Sequence, residues 1–324
     1  MDTALTIIQD RADLATPTSA SARKYYQASK AKNTLRAYAP AWREFARYCE
    51  AHHVPAFPAS PTTIVEYLTM LADTRKKVST IEVKLAAITF RHRECPDQNP
   101  AKAESVRLLM QGIRRTLGCN QTKKEPIKRD ELVKMIATLG DSIQGKRDRA
   151  ILLVGFAGAF RRSELAGLNI EDVRFGAGSM TITLRHSKTD QEGAGITKQI
   201  PMLADKTLCP VRALRDWMNA AQIKSGAVFR AVDRWGNARK KRIDDKTIVL
   251  IVKRAATAAG LEARQFAGHS LRAGFATQAA TDGTPEWAIA EVTGHKSVAV
   301  LRGYIRSAGI GQMSAIKKAF GQNE

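Results

Sequence analysis

Residues 158–168 read GAFRRSELAGL, residues 269–277 read HSLRAGFAT, and residues 293–304 read TGHKSVAVLRGY. In chain order they supply Arg161 three residues ahead of Glu164, His269 and Arg272 three apart, His295 after a glycine, and Tyr304 nine residues beyond His295. These are the parts needed to hold a phosphodiester and attack it. A guanidinium presents a planar fork of donors that matches two phosphate oxygens at once. An imidazole donates or accepts a proton near neutral pH. A phenol, with a free pKa of about 10, is a poor nucleophile until such neighbours activate it. R-x-x-E-L or H-x-x-R alone occurs in many helices; the ordered set carries the signal.

Working outward from GAFRRSELAGL, the preceding run ILLVGFAGAF is almost wholly apolar and reads as a central buried helix delivering Arg161 to a cleft. A shorter helix precedes it near Glu131–Leu139. Beyond it, Met180–Leu184 alternates as a strand, Ile196–Met202 supplies a partner, and a polar turn lies between them. Helices are expected near Pro210–Ala221, Asp245–Ala259, Ser270–Thr281, Pro285–Thr293 and Ser297–Tyr304. His269 and Arg272 then share one face at a helix start.

The N-terminal part is a separate helical pattern. Residues 1–20 lack sustained periodicity and read as a loosely held arm. Leu35, Tyr38, Trp42, Phe45 and Cys49 recur at spacings of three and four, with Pro40 expected to kink that helix or delay its start. Ser60-Pro61 supplies an N-cap and first-turn proline for a helix carrying Ile64, Tyr67, Leu68 and Leu71. Ser79 with Glu82 reads as a capping box for a third helix through Ile81, Leu85 and Ile88. Asn99-Pro100 opens a fourth, with Val106, Leu109, Met110 and Ile113 on its apolar face. The polar stretch from Gly118 to Glu125 has no apolar face and reads as a linker. The fold class is therefore mainly α: an N-terminal helical bundle, then a mostly helical domain with a small antiparallel sheet.

The chain of 324 residues is long enough for two domains with proper cores. Its formal net charge is +21, with 20 Lys/Arg against 11 Asp/Glu in residues 1–124 and 32 against 20 in the rest. Basic charge on both halves suits a polyanion, such as DNA, held between them. The run Arg75-Lys76-Lys77 before the third helix, then Lys84, Arg91 and Arg93 along it, and Lys123 and Lys124 in the linker are the candidate DNA contacts, mostly to phosphate. Cys49, Cys95, Cys119 and Cys209 form no CxxC and no metal-spaced cluster, and read as reduced thiols. No apolar run approaches the roughly 18 residues of a membrane span, and no signal-peptide pattern opens the chain, so a cytoplasmic, DNA-associated protein is expected.

Together the three segments resemble the signature boxes of the tyrosine recombinase (phage integrase) family, in the manner of its Cre-like and integrase-like members. The N-terminal helices resemble that family's core-binding domain. The resemblance implies an arm over 1–20, a core DNA-binding domain over 21–118, a linker over 119–126, and a catalytic domain with a helical tail over 127–324. It implies a site-specific recombinase that cleaves and rejoins strands by way of a 3′-phosphotyrosyl link. The link keeps the energy of the phosphodiester, so no ATP is needed and no cofactor is expected.

The same resemblance distributes the roles. Arg161 is preferred to Arg162 because the family's arginine lies three residues before the acidic one. Arg272 binds the scissile phosphate beside Arg161, and His269 transfers a proton or orients the tyrosine. His295 can donate to a nonbridging oxygen as charge builds in the transition state. Tyr304 is the nucleophile. The departing 5′-oxygen needs an acid, and Lys188 in HSKTDQEG stands where the family places its hairpin lysine, with Lys198 as the second choice. Ala273-Gly274 and Val300-Leu301 depart from common family forms, in packing more than chemistry. Glu164, Glu171, Asp172 and Glu291 do not make the carboxylate pair a two-metal site needs, and the arginines already supply positive charge, so no metal is expected. Partners implied are double-stranded DNA with paired inverted-repeat sites, and a homotetramer on DNA joined through the tail carrying Met313, Ile316 and Phe320. The rivals are a type IB topoisomerase and a non-catalytic DNA-binding protein.

Overall fold

The computed structural model describes residues 31–93, 99–118, 124–185, 195–294 and 302–303. The chain divides into two compact units, one ending at residue 122 and the other beginning at residue 123. Among the described residues no helix is long and apolar enough to cross a membrane.

The first unit is a bundle of α1 (Lys32–Ala51), α2 (Pro61–Asp73), α3 (Val78–Arg91) and α4 (Glu104–Leu117). Phe45, Cys49, Ile64, Tyr67, Leu68, Leu71, Ile81, Ile88, Val106, Met110 and Ile113 form its core, the residues picked out by helical periodicity. Ser60 caps α2 by accepting from the Thr63 N–H at 3.0 Å, with Pro61 in the first turn. Pro40 neither delays nor ends α1; it lies inside a twenty-residue helix whose later turns bury Phe45 and Cys49. The capping box at Ser79 does not form. Helix α3 starts at Val78, which is itself buried, so core packing draws the start ahead of the local cap signal. Asn99 caps only a single 3-10 turn, Pro100–Lys102, before α4 begins.

The second unit holds α5 (Arg129–Ala137), α6 (Ile143–Ala157), α7 (Arg162–Gly167), β1 (Val173–Phe175), β2 (Ser179–Leu184), β3 (Ile196–Pro201), α8 (Pro210–Ala220), β4 (Arg230–Val232), β5 (Ala238–Arg242), α9 (Asp245–Ala258), α10 (Ser270–Thr281) and α11 (Glu286–Thr293). Strands β1, β2 and β3 make an antiparallel sheet in that order, and β4 and β5 a separate two-stranded ribbon. Helix α6 is the centre: residues 150–154 are buried, and it packs on α8 and α10. The sheet turns Met180, Ile182, Leu184 and Ile200 into the same core. Gly274 explains its own presence in α10: a Cβ there would lie 1.8 Å from the Ile127 carbonyl oxygen. The segment ahead of α5 is seated directly on α10, and the Ile127 N–H donates to the Ser270 carbonyl at 3.0 Å. The helix expected over Ser297–Tyr304 falls almost wholly outside the described residues.

Candidate active site

The site is built on the turn that ends α6. Gly158 caps the helix, and Ala159 takes a left-handed backbone with φ of +46°. Two successive carbonyls of this turn accept from two different cations. Lys198 Nζ donates to Gly158 O at 2.7 Å, and Arg272 Nη1 donates to Ala159 O at 2.8 Å. Phe160 is buried, and its ring centroid lies 5.2 Å from Lys198 Nζ.

Arg161 follows as the N-cap of α7. Glu164, buried in the first turn of α7, accepts from the Arg161 backbone N–H at 2.9 Å and from Arg161 Nη1 at 2.5 Å. One carboxylate thus fixes both the backbone and the side chain of Arg161, so the short helix and its arginine form one piece. Arg162, the sequence rival, turns the other way and pairs with Asp245 of α9 at 3.0 Å.

Arg272, with 1 % of its surface exposed, is the third residue of α10. His269 is the N-cap of that helix and is exposed. The start of α10 is held by its own loop, where Ser270 Oγ accepts from the Ala267 N–H at 2.9 Å. A buried guanidinium therefore sits one helical turn behind an exposed imidazole.

Among the described residues, Arg272, Glu164 and Arg161 lie close enough to Lys198 to act on it electrostatically. The Lys198 ammonium is drawn down to about 8, first by burial, then by the Arg272 guanidinium, with Arg161 adding and Glu164 opposing. Cations gathered in this way favour an arriving anion.

Lys188, His295 and Tyr304 lie outside the described residues, as does Lys123. Their flanks are in view. Gly294 ends α11 in the left-handed conformation, its N–H donating to Ala290 O at 2.7 Å. Arg302, two residues before Tyr304, pairs with Glu286 at the start of α11 at 3.2 Å.

In the first unit, Arg75, Lys76 and Lys77 are exposed in the turn before α3, with Arg75 itself left-handed. Arg91 is half-buried, its guanidinium 5.7 Å from the Trp42 ring and 5.6 Å from the Phe57 ring, and Arg93 lies 4.4 Å over Phe90. Lys84 departs from the expected basic face. It is buried, and its ammonium pairs with Glu44 of α1, a partner forty residues away that local periodicity does not reveal. In the second unit, Lys124 is exposed and its Nζ donates to Arg264 O at 2.6 Å.

Lys198 is the residue whose surroundings the sequence understated. Alternation along β3 places it on the inward face with Ile196 and Ile200, and Ile182 is its cross-strand partner. A lysine in phase with two isoleucines was the legible signal.

Comparison with known proteins places this geometry among relatives. A sequence profile described as the phage integrase family matches residues 125–309. An integrase/recombinase XerD homolog from Selenomonas ruminantium is 40% identical over 307 residues, covering 93% of this chain and 89% of the relative. The Cre recombinase of Escherichia phage P1 is 24% identical over 285 residues, covering 82% of this chain and 81% of its own. In fold, the chain is similar to a XerH site-specific recombinase bound to a palindromic difH substrate (TM-score 0.64, 17% identity, 93% of this chain and 85% of that one). It is also similar to a Tn1549 transposon integrase in complex with transposon right-end DNA (TM-score 0.58, 15% identity, 90% and 96%).

Proposed function

Because the chain belongs to the phage integrase family, the tyrosine recombinases, we propose that it recombines DNA at specific sites by way of a covalent 3′-phosphotyrosyl intermediate, without ATP or metal. The enzyme class is that of its family, site-specific recombination. In the proposed step Tyr304 Oη attacks the scissile phosphorus, the bond from phosphorus to the 5′-oxygen breaks, and that oxygen takes a proton from Lys188. The proton of Tyr304 passes to His269. Arg161 and Arg272 hold the nonbridging oxygens, and His295 donates to one of them as charge builds. Rejoining is the reverse attack by a 5′-hydroxyl, so the bond energy is never released. The guanidiniums occupy the place of charge that a metal ion fills in other phosphoryl-transfer enzymes.

The observation that carries this reading is the 158–161 turn. It fixes Arg161 through Glu164 and seats Arg272 on the Ala159 carbonyl, so two phosphate-binding groups are held before any substrate arrives. The substrate is double-stranded DNA with paired inverted-repeat sites, on which four copies assemble through the C-terminal tail. Residues 21–118 act as the core DNA-binding domain and 127–324 as the catalytic domain, joined by a linker over 119–126. The exposed residues Arg75, Lys76 and Lys77 supply phosphate contacts.

Covalent capture tests the proposal. The protein is incubated with fragmented DNA from its own source, denatured, freed of unlinked DNA, and the attached fragments are sequenced, with Tyr304→Phe beside it. Adducts at a few sites flanked by inverted repeats, and none with the variant, are expected. Adducts scattered over all sequences would indicate a type IB topoisomerase instead. No adduct from either protein would indicate a DNA binder without chemistry.

A further inference from the structure

Lys198 has no assigned part in the reaction above, yet it sits beside both proposed phosphate-binding arginines. Its Nζ donates to Gly158 O at 2.7 Å and also to Val292 O. Gly158 is the C-cap of α6, and Val292 lies in the last turn of α11. Carbonyls at helix C-termini lack intrahelical partners and carry partial negative charge, so a cation is the group they accept best. One ammonium therefore closes two helix ends at once. Those ends are the ones that matter here. The first runs into Arg161, the second into Gly294-His295, and β3 itself follows the segment that carries Lys188.

We propose that Lys198 is a positioning residue for strand cleavage: its ammonium ties β3, the turn ahead of Arg161 and the end of α11 into one frame, so that the groups delivered by these three segments meet at a single phosphate. The inference rests on the reading that Tyr304 attacks DNA. A methionine would fill the same inward position on β3 with no ionic desolvation, so the charge is what needs a reason. Among the described residues, the charged groups acting on the ammonium are Arg272 of α10 and Glu164 and Arg161 at the start of α7. Burial and these guanidiniums make the ammonium easier to deprotonate, to about 8, which leaves it mainly charged at neutral pH. An arriving phosphate would oppose the guanidiniums and hold the proton on Lys198. The frame then tightens as substrate binds.

The experiment is single-turnover cleavage by the full-length protein of a DNA site found by covalent capture, using wild type, Lys198→Met and Lys198→Arg. Each is run on ordinary DNA and on DNA whose scissile 5′-bridging oxygen is sulfur, a leaving group that needs no proton. DNA affinity and thermal unfolding are measured in parallel. Lys198→Met is expected to cleave at least ~10-fold more slowly on both substrates, about 1.4 kcal/mol in the barrier, with affinity nearly unchanged. A residue that only stabilised the fold would lower the melting temperature and leave the rate of the folded protein untouched. Wild-type cleavage by the variant overturns the proposal, and so does recovery on the sulfur substrate, which would make Lys198 the acid. If Lys198→Met does not fold, Lys198→Arg decides. A guanidinium keeps the charge and donors but cannot release a proton, so cleavage within tenfold of wild type supports the frame and a larger loss overturns it. Absence of any adduct with wild type would sink the tyrosine reading itself, a failure distinct from these.

Discussion

Glu164 is the residue on which Arg161 depends, because it takes both the backbone N–H and the guanidinium of that arginine. The carboxylate is buried, so its replacement cannot be made good by water. Glu164→Gln keeps the shape and one acceptor but removes the charge that pairs with Arg161 and acts on Lys198. Cleavage is expected to fall ~10- to 100-fold, about 1.4–3 kcal/mol in the barrier, in a single-turnover assay while the melting temperature drops only a few degrees. An unchanged rate would mean that Arg161 needs no anchor. At this scale the sequence was most legible in the three-residue spacing of Arg161 and Glu164, which the structure pairs. It was least legible for lysines. Lys84 read as a DNA contact and Lys198 as a second-choice acid, since a sequence displays a charge but not the Glu44 or the helix ends that receive it.

Among the elements, α10 has the tightest fit. Gly274 lets the Ile127 carbonyl lie against the helix, and this contact seats the segment where the second unit begins. Gly274→Ala would place a methyl inside that oxygen, so backbone must move. The expected loss is ~3 kcal/mol or more, read as a lower urea midpoint with an unchanged slope. A midpoint equal to wild type would show that the segment yields freely. Helices with their own signals were readable in advance. Ser60-Pro61 opens α2, and ILLVGFAGAF is buried in α6. Where the controlling contact is distant, the local signal misled, as when Val78 joins the core and starts α3 before Ser79. Strands β1, β4 and β5 went unread because three to five residues, several of them basic, leave no alternation to see.

Across the whole molecule, the net charge of +21 is spread over both units, so DNA affinity should be dominated by release of counterions. With ~6–10 phosphates contacted, a log–log plot of affinity against salt should slope by about −5 to −9. Lys76→Ala should flatten the slope by about 1 and weaken every DNA sequence alike. A variant that changed preference among sequences instead would make Lys76 a reader of bases. Two units of opposite legibility meet here. The bundle was visible through periodicity alone, whereas the site in the second unit is assembled from segments more than a hundred residues apart.

The anchors of that assembly are main-chain oxygens. Gly158 and Ala159 offer Lys198 and Arg272 a group that all twenty amino acids possess. Replacing the side chain at 159 leaves its acceptor in place, provided that the new residue tolerates the left-handed turn there, whereas a Cβ at Gly158 would lie 2.1 Å from the buried Phe160 ring. Over evolutionary time, the lettering of this turn can drift at position 159 while its geometry stays put. A search that compares letters would then lose the anchor and keep only the cations, seeing the guests of the site and not their host.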